Sequence, residues 1–235
     1  MSSKAAPDQV LELSSGPVPL DVVRNPRARR LSLRVDPASG HPRLVLPSHT
    51  ALAEGLRFVR RNSAWLERQL AAVPVRIPFE DGREIPVLGS DHVICHLPAA
   101  RRGVWRDQGT IWVSGQGAHL ARRVQDYLKR EARREISARA HGKARAIERP
   151  IRRIVLRDTR TRWGSCSADG ALNFCWRLIM APEAVLDYVV AHEVAHLVHM
   201  NHSRRFWALV GRLTAKTAGP RSWLREHGHQ LHRYG

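Results

Sequence analysis

The sequence predicts an α+β fold in two parts: a small antiparallel-sheet module first, then a helix-bearing α+β domain. Three patterns point to it. Leu31, Leu33 and Val35 alternate with Ser32 and Arg34, and Arg43-Leu44-Val45-Leu46 follows a turn over Asp36-Pro37-Ala38-Ser39-Gly40, the period-two signal of a half-buried hairpin. Leu120, Val124, Leu128 and Ile136 lie on one stripe of a long run from His119 to Ala146, the period of an amphipathic helix. A third run, rich in valine and leucine, carries histidines and a glutamate at helical spacing.

In chain order, residues 1–18 are rich in Ser, Pro and Gly and read as a disordered tail. Residues 19–116 read as a β-rich N-terminal module, and 117–235 as the domain that carries the chemistry. Within the first, 51–73 reads as helix with Leu56, Val59, Trp65, Leu66 and Leu70 as its apolar members and a break at Asn62-Ser63. Segments 75–79, 84–88 and 92–97 read as short strands, and Val104-Trp105 and Ile111-Trp112-Val113 flank a turn at Asp107-Gln108-Gly109. The tryptophans here read as sheet-face or core residues. In the second, strands are expected over 152–157 and 171–176, joined through 158–166 and a turn at Asp169-Gly170. Met180-Ala181-Pro182-Glu183 then starts a helix, with proline at its first position and an acid in its first turn. Helices over 203–216 and 221–227 close the chain. No internal sequence repeat is visible.

The helix beginning near Pro182 contains Ala191-His192-Glu193-Val194-Ala195-His196-Leu197-Val198-His199-Met200-Asn201-His202. Residues four apart on a helix stand one turn above each other, so His192 and His196 can aim two imidazoles at one point. Glu193 leaves the helix about 100° away, close enough to hold a water beside a metal without ligating it. Catalytic zinc takes three protein ligands and keeps one position open. His202 is the expected third ligand, with Asn201 stopping the helix and turning the chain back; His199, on the ligand face, is the rival. Metzincin peptidases share the histidine spacing but need a later methionine turn, and no methionine follows Met200. Val185, Leu186, Val189, Val190, Val194 and Leu197 surround the motif with apolar surface. Two histidines and a glutamate would be costly there unless a metal or a partner satisfied them.

Composition narrows the class further. Among 235 residues there is no apolar run approaching the about 18 needed to cross a membrane, and the N-terminus lacks a signal-peptide core, so a cytoplasmic protein is expected. Cys95, Cys166 and Cys175 form no Cys-x-x-Cys pair and read as reduced thiols. The formal net charge is +18, carried by 35 arginines and 4 lysines against 21 acids. Such a balance favours polyanions. Arg29 and Arg30 in the segment 24–34, and Arg130 and Arg133 in the helix, are the candidate contacts for sequence-independent DNA or RNA binding. Solvated helix faces also look like this, since 119–149 mixes ten basic with four acidic side chains.

Several motifs in fixed order resemble the YgjP-like zinc metallopeptidases: Thr161-Arg162-Trp163-Gly164-Ser165-Cys166-Ser167, Trp176-Arg177-Leu178-Ile179-Met180-Ala181-Pro182, Asp187-Tyr188-Val189-Val190-Ala191-His192-Glu193, and Asn201-His202-Ser203 with Phe206-Trp207. That family is similar in turn to the SprT-like and WLM domains of DNA–protein crosslink proteases. The resemblance implies a minimal zincin, gluzincin-like fold with one zinc on His192, His196 and His202, Glu193 as catalytic carboxylate, and a protein or peptide substrate. Valine at 194 departs from the expected leucine. Arg162 is a candidate oxyanion donor, and Asn173, in the strand Leu172-Asn173-Phe174, a candidate substrate contact on a sheet edge. Two other readings compete. A metal-dependent ribonuclease of the YbeY type uses the same histidine spacing but places no carboxylate directly after the first histidine. A non-catalytic nucleic-acid-binding module would hold a structural zinc, which usually needs four ligands.

Overall fold

A computed structural model describes residues 9–14, 16–36, 40–71, 75–215 and 217–235. Part of the expected tail, the middle of the 36–40 turn and the end of the 51–73 helix lie outside these residues. The chain forms two compact units, Met1–Val75 and Arg76–Gly235.

In the first unit, strands β1 (Gln9–Leu13), β2 (Gly16–Arg24), β3 (Ser32–Val35) and β4 (Pro42–Leu46) form one sheet in the order β1-β2-β4-β3. β1 pairs antiparallel with β2 from Gln9 opposite Leu20, and Leu11 and Leu20 are buried. Residues 9–14 and 16–18 therefore do not belong to a disordered tail: ladder bonds and two leucines outweigh the polar composition. β3 and β4 form the expected antiparallel pair, with Leu33 opposite Leu44. The sheet as a whole is mixed, because β2 and β4 run parallel. Alternation reports which face a side chain takes and not strand direction. Helices α1 (Leu52–Arg61) and α2 (Ser63–Ala71) break at Asn62 as expected, and the Asn62 amide donates back to the Phe58 carbonyl at 2.8 Å. Gly55 lets α1 lie flat on the sheet, since a Cβ there would come within 2.5 Å of Leu46 and 2.9 Å of Leu44.

The second unit opens with β5 (Glu84–Val87), β6 (Ser90–His96), β7 (Val104–Asp107) and β8 (Thr110–Val113), ordered β5-β6-β8-β7. Residues 75–79 contribute only an isolated bridge between Ile77 and Tyr234. Trp105 and Trp112 sit opposite each other in the β7–β8 pair and stack at 6.2 Å. Ile85, Val87, Ile94, Ile111 and Val113 share one core with the helices that follow. The domain division expected at 116 is thereby corrected to 75. A change from strand-like to helix-like sequence marks a change of element, not of core.

Helix α3 (Leu120–Ala146) buries Leu120, Val124, Leu128 and Ile136 as the stripe predicts, together with Tyr127 and three alanines. Strands β9 (Arg153–Arg157), β10 (Gly164–Cys166) and β11 (Ala171–Cys175) form a third sheet in the order β10-β11-β9. A 3-10 turn over Trp176–Met180 leads into α4 (Glu183–Ala195), and α5 (Arg204–Leu213) and α6 (Ala218–His227) follow. α4 packs against α3, α5, α6 and β10. That explains a helix apolar around nearly its whole circumference. Buried Arg177 fastens the unit by donating to both Asp158 oxygens at 2.7 and 3.2 Å and to the Leu231 and Tyr234 carbonyls at 3.1 and 2.6 Å. No helix among the described residues is long and apolar enough to cross a membrane.

Candidate metal centre

The site begins at the end of α4. Pro182 stands just outside the helix at φ −52° and ψ 144°, one position earlier than the sequence suggests, and Glu183 opens the first turn. The helix closes at His196. His199 N–H still bonds the Ala195 carbonyl at 3.0 Å, after which the chain leaves the helix axis. Asn201 is therefore not the stop. It lies beyond the helix, does not take a positive φ, and uses its side-chain oxygen to accept from Ser203 N–H at 3.3 Å. Ser203 caps α5 by accepting from Phe206 N–H at 3.4 Å. The effect on His202 is the one expected: it is turned back over α4.

His192, His196 and His202 converge, with one ligand atom from each lying within 4.8 Å of the others. His192 Nε2 and His202 Nε2 are 3.1 Å apart. Zinc–nitrogen bonds of about 2.0–2.1 Å in a tetrahedron place the nitrogens about 3.4 Å apart, so the three rings fit such an ion. His196 Nδ1 meets the His199 carbonyl at 2.9 Å, which leaves Nε2 to supply a lone pair. His192 Nδ1 is buried without a hydrogen-bond partner among the described residues. His199 contributes its carbonyl to this arrangement and is not in the ligand cluster; its side chain lines a separate cavity with Glu148, Arg205 and Arg212. Phe206 packs on all three rings at 4.5–4.9 Å between centroids, and Trp207 flanks His192 and His202.

Burial keeps two of the three histidines in the neutral form. Burial pushes the His192 base down to about 4, helped by the charges of His196, His202 and Arg221. Burial also lowers His196, partly offset by its bond to the His199 carbonyl. Glu193, next to the first ligand, is only 6% exposed. Burial pushes its carboxyl up to about 7, while Arg162 pulls the other way. Glu193 lies directly over Gly164 of β10: a Cβ on that glycine would meet Glu193 Cγ at 2.5 Å and Oε1 at 2.6 Å.

Beside Gly164 opens a groove of about 320 Å³ lined by Arg157, Thr159, Arg162, Ser165, Asn173 and Phe174. Arg162 and Asn173, both anticipated, meet here. The expectation that Asn173 sits on a sheet edge is corrected, because β11 is paired on both sides, antiparallel with β10 and parallel with β9. A loop into a turn and back made 171–176 look like an outer strand, whereas the three-residue β10 takes the edge. Sequence reasoning missed Gly164 and the Asp158–Arg177 anchor; Gly164 and Arg177 stand in the quoted motifs, and Asp158 lies outside them. Cys95, Cys166 and Cys175 are free thiols, and burial pushes Cys166 and Cys175 up to about 11. His232 stacks on Trp163 at 5.2 Å.

The four arginines proposed for nucleic acid are exposed, Arg29 and Arg30 in the first unit and Arg130 and Arg133 on α3 in the second. Arg130 lies over the Tyr127 ring at 5.8 Å, and Arg133 donates to the Ile154 carbonyl at 3.4 Å.

Three convergent imidazoles and a buried carboxylate gather where α4 ends, an arrangement able to hold a metal ion. Residues 29–227 match the YgjP-like metallopeptidase domain, and the chain belongs to that family. No curated protein and no solved structure matches it.

Proposed function

We propose that this chain is a zinc-dependent peptidase of minimal zincin, gluzincin-like architecture. His192, His196 and His202 hold one zinc, and Glu193 is the general base. The observation that carries the reading is the juxtaposition of the His192–His196–His202 cluster with Glu193, a carboxylate buried beside the cluster but outside it. When bound, zinc supplies a Lewis acid that polarises a carbonyl and lowers the pKa of water to about 7.

The chain's own residues do the rest. Glu193 accepts the proton of the attacking water and returns it to the leaving amine; a carboxyl raised to about 7 suits both halves of that transfer near neutral pH. Gly164 leaves the space in which that carboxylate sits. Arg162, whose charge reaches Glu193, is the proposed donor to a developing oxyanion. The free side of β10 offers an extended peptide a strand to pair with, and Asn173 faces the same groove. Phe206 and Trp207 hold the histidine rings by packing against them.

The test incubates zinc-loaded protein with an unfolded protein and, separately, with single-stranded RNA. Peptide fragments that disappear when the metal is chelated are expected. RNA cleavage without any proteolysis would replace the peptidase reading with the nuclease one.

A further inference from the structure

The groove beside Gly164 presents hydrogen-bond donors and no carboxylate. Its lining brings together the guanidinium of Arg157 at the end of β9, that of Arg162, the hydroxyls of Thr159 and Ser165, and the Asn173 amide. Neither Arg157 nor Arg162 has an ion-pair partner among the described residues, although neighbouring Asp158 and Asp169 are taken up by Arg177 and Arg152. Thr159 Oγ1 donates to the Arg162 carbonyl at 2.8 Å, which fixes the bend that turns both arginines toward one groove. The Asp158–Arg177 pair holds the start of the same loop. Of the two arginines, Arg162 is the one whose charge acts on Glu193. Two guanidiniums left unpaired in a concave, donor-lined site are suited to a carboxylate, which they can meet with charge-assisted and bidentate bonds.

We propose that this groove is a subsite for a carboxylate of the peptide substrate, with Arg157 as its specificity-determining residue. The proposal rests on the peptidase reading and deepens it: the preferred substrates carry an acidic group within reach of the scissile bond. The carboxylate has two possible sources, an Asp or Glu side chain or the free end of the chain. The donor set is the same for both.

Binding is measured on the zinc-loaded Glu193→Gln protein, so that peptides stay intact, by fluorescence anisotropy of labelled peptides. A C-terminally amidated peptide with one Asp or Glu is compared with its Asn or Gln twin, and the twin is also made with a free C-terminal carboxylate. The acidic form, from whichever source, binds about tenfold tighter than the neutral one, the scale of one charge-assisted hydrogen bond. Arg157→Ala collapses the ratio to about one, and Arg157→Lys restores part of it, with zinc content unchanged in both. Preference for the side-chain acid assigns the subsite to internal residues; preference for the free terminus assigns it to chain ends. Equal binding of all three peptides, no binding of any, or a preference that survives Arg157→Ala overturns the proposal. So does an Arg157→Ala effect confined to an RNA oligonucleotide. Cleavage by the Glu193-bearing protein is scored separately. Cleavage without acid preference leaves the peptidase and removes the subsite, whereas acid-selective binding without cleavage does the reverse.

Discussion

At Gly164 one methyl group decides where Glu193 can sit. A Cβ would lie 2.5–2.8 Å from three atoms of the glutamate side chain, which must then swing away from the position it holds over β10. Gly164→Ala should retain one zinc and lower kcat by about 10²-fold, the usual cost of misplacing a catalytic group by about an ångström. Metal analysis beside steady-state kinetics checks this; normal kcat would mean that the close approach has no catalytic consequence. His192 gives a second outcome. Its base is held near about 4 in the fold against about 6.5 in the unfolded chain. Between those values the unfolded state binds more protons, so the contribution of neutral His192 to the stability of metal-free protein is fully present above about pH 6.5 and is lost as pH falls through about 4. Urea midpoints of metal-free protein at pH 7 and pH 5 should differ, and His192→Gln should narrow the difference. His192, Glu193 and His196 were legible because helix periodicity alone brings them together. Gly164 was not, because its need for a missing side chain arises from the packing of α4 on β10, which leaves no local pattern in the sequence.

At the scale of elements, the end of α4 and the loop after β9 carry the site. The third histidine was legible in the sequence, but the reason given for it was not: the helix stops at His196 instead of at Asn201, and the Ser203 cap of α5 turns His202 inward. Backbone bonds to Ala195 and the His196–His199 contact set that stop, and neither leaves a compositional mark. His202→Ala should therefore lose zinc while His199→Ala keeps it, since His199 acts through its backbone carbonyl; elemental analysis with the reverse result would transfer the ligand role. The Asp158–Arg177 pair is the other element-scale device. Burial raises the Asp158 carboxyl, but the bonds and charge of Arg177 outweigh it and hold the group below its ordinary value. This contribution is present above about pH 3.9 and is lost as pH falls through the lower folded value. Asp158→Asn leaves Arg177 buried without its carboxylate partner, held by the Leu231 and Tyr234 carbonyls. The cost should be about 2–4 kcal/mol, somewhat under that of a fully buried pair because the Asp158 side chain is 46% exposed. Chemical denaturation reads this directly, and a change within about 0.5 kcal/mol would show the anchor to be dispensable.

Across the whole molecule, the α+β class and most elements followed from periodicity, while the boundary between the units did not. The sheets of the two units share one strand order and the same parallel pairing of their second and fourth strands, a repeat of topology with no repeat of sequence. Charge is also organised by the fold. Arg139 pairs with Glu135 and Glu183, and Lys143 with Asp187 at 2.8 Å, so part of the basic face of α3 serves to hold α4. Arg29, Arg30, Arg130 and Arg133 have no acidic partner among the described residues and remain the proposed contacts for DNA or RNA. Binding to a mixed-sequence duplex should weaken with salt at a log–log slope of about −0.9 per neutralised phosphate and respond little to base sequence. Absence of binding at low ionic strength would reduce the +18 charge to a matter of composition.

Hydrolysis is proposed to rest on the buried carboxylate of Glu193 beside a three-histidine zinc site. Glu193→Gln tests it most directly, because the amide keeps the shape of the side chain while losing the ability to take a proton. Zinc content and peptide cleavage are measured on the same preparation. The expected result is one zinc per chain and a rate lowered by about 10²–10⁴-fold. Full zinc with undiminished cleavage would contradict the account.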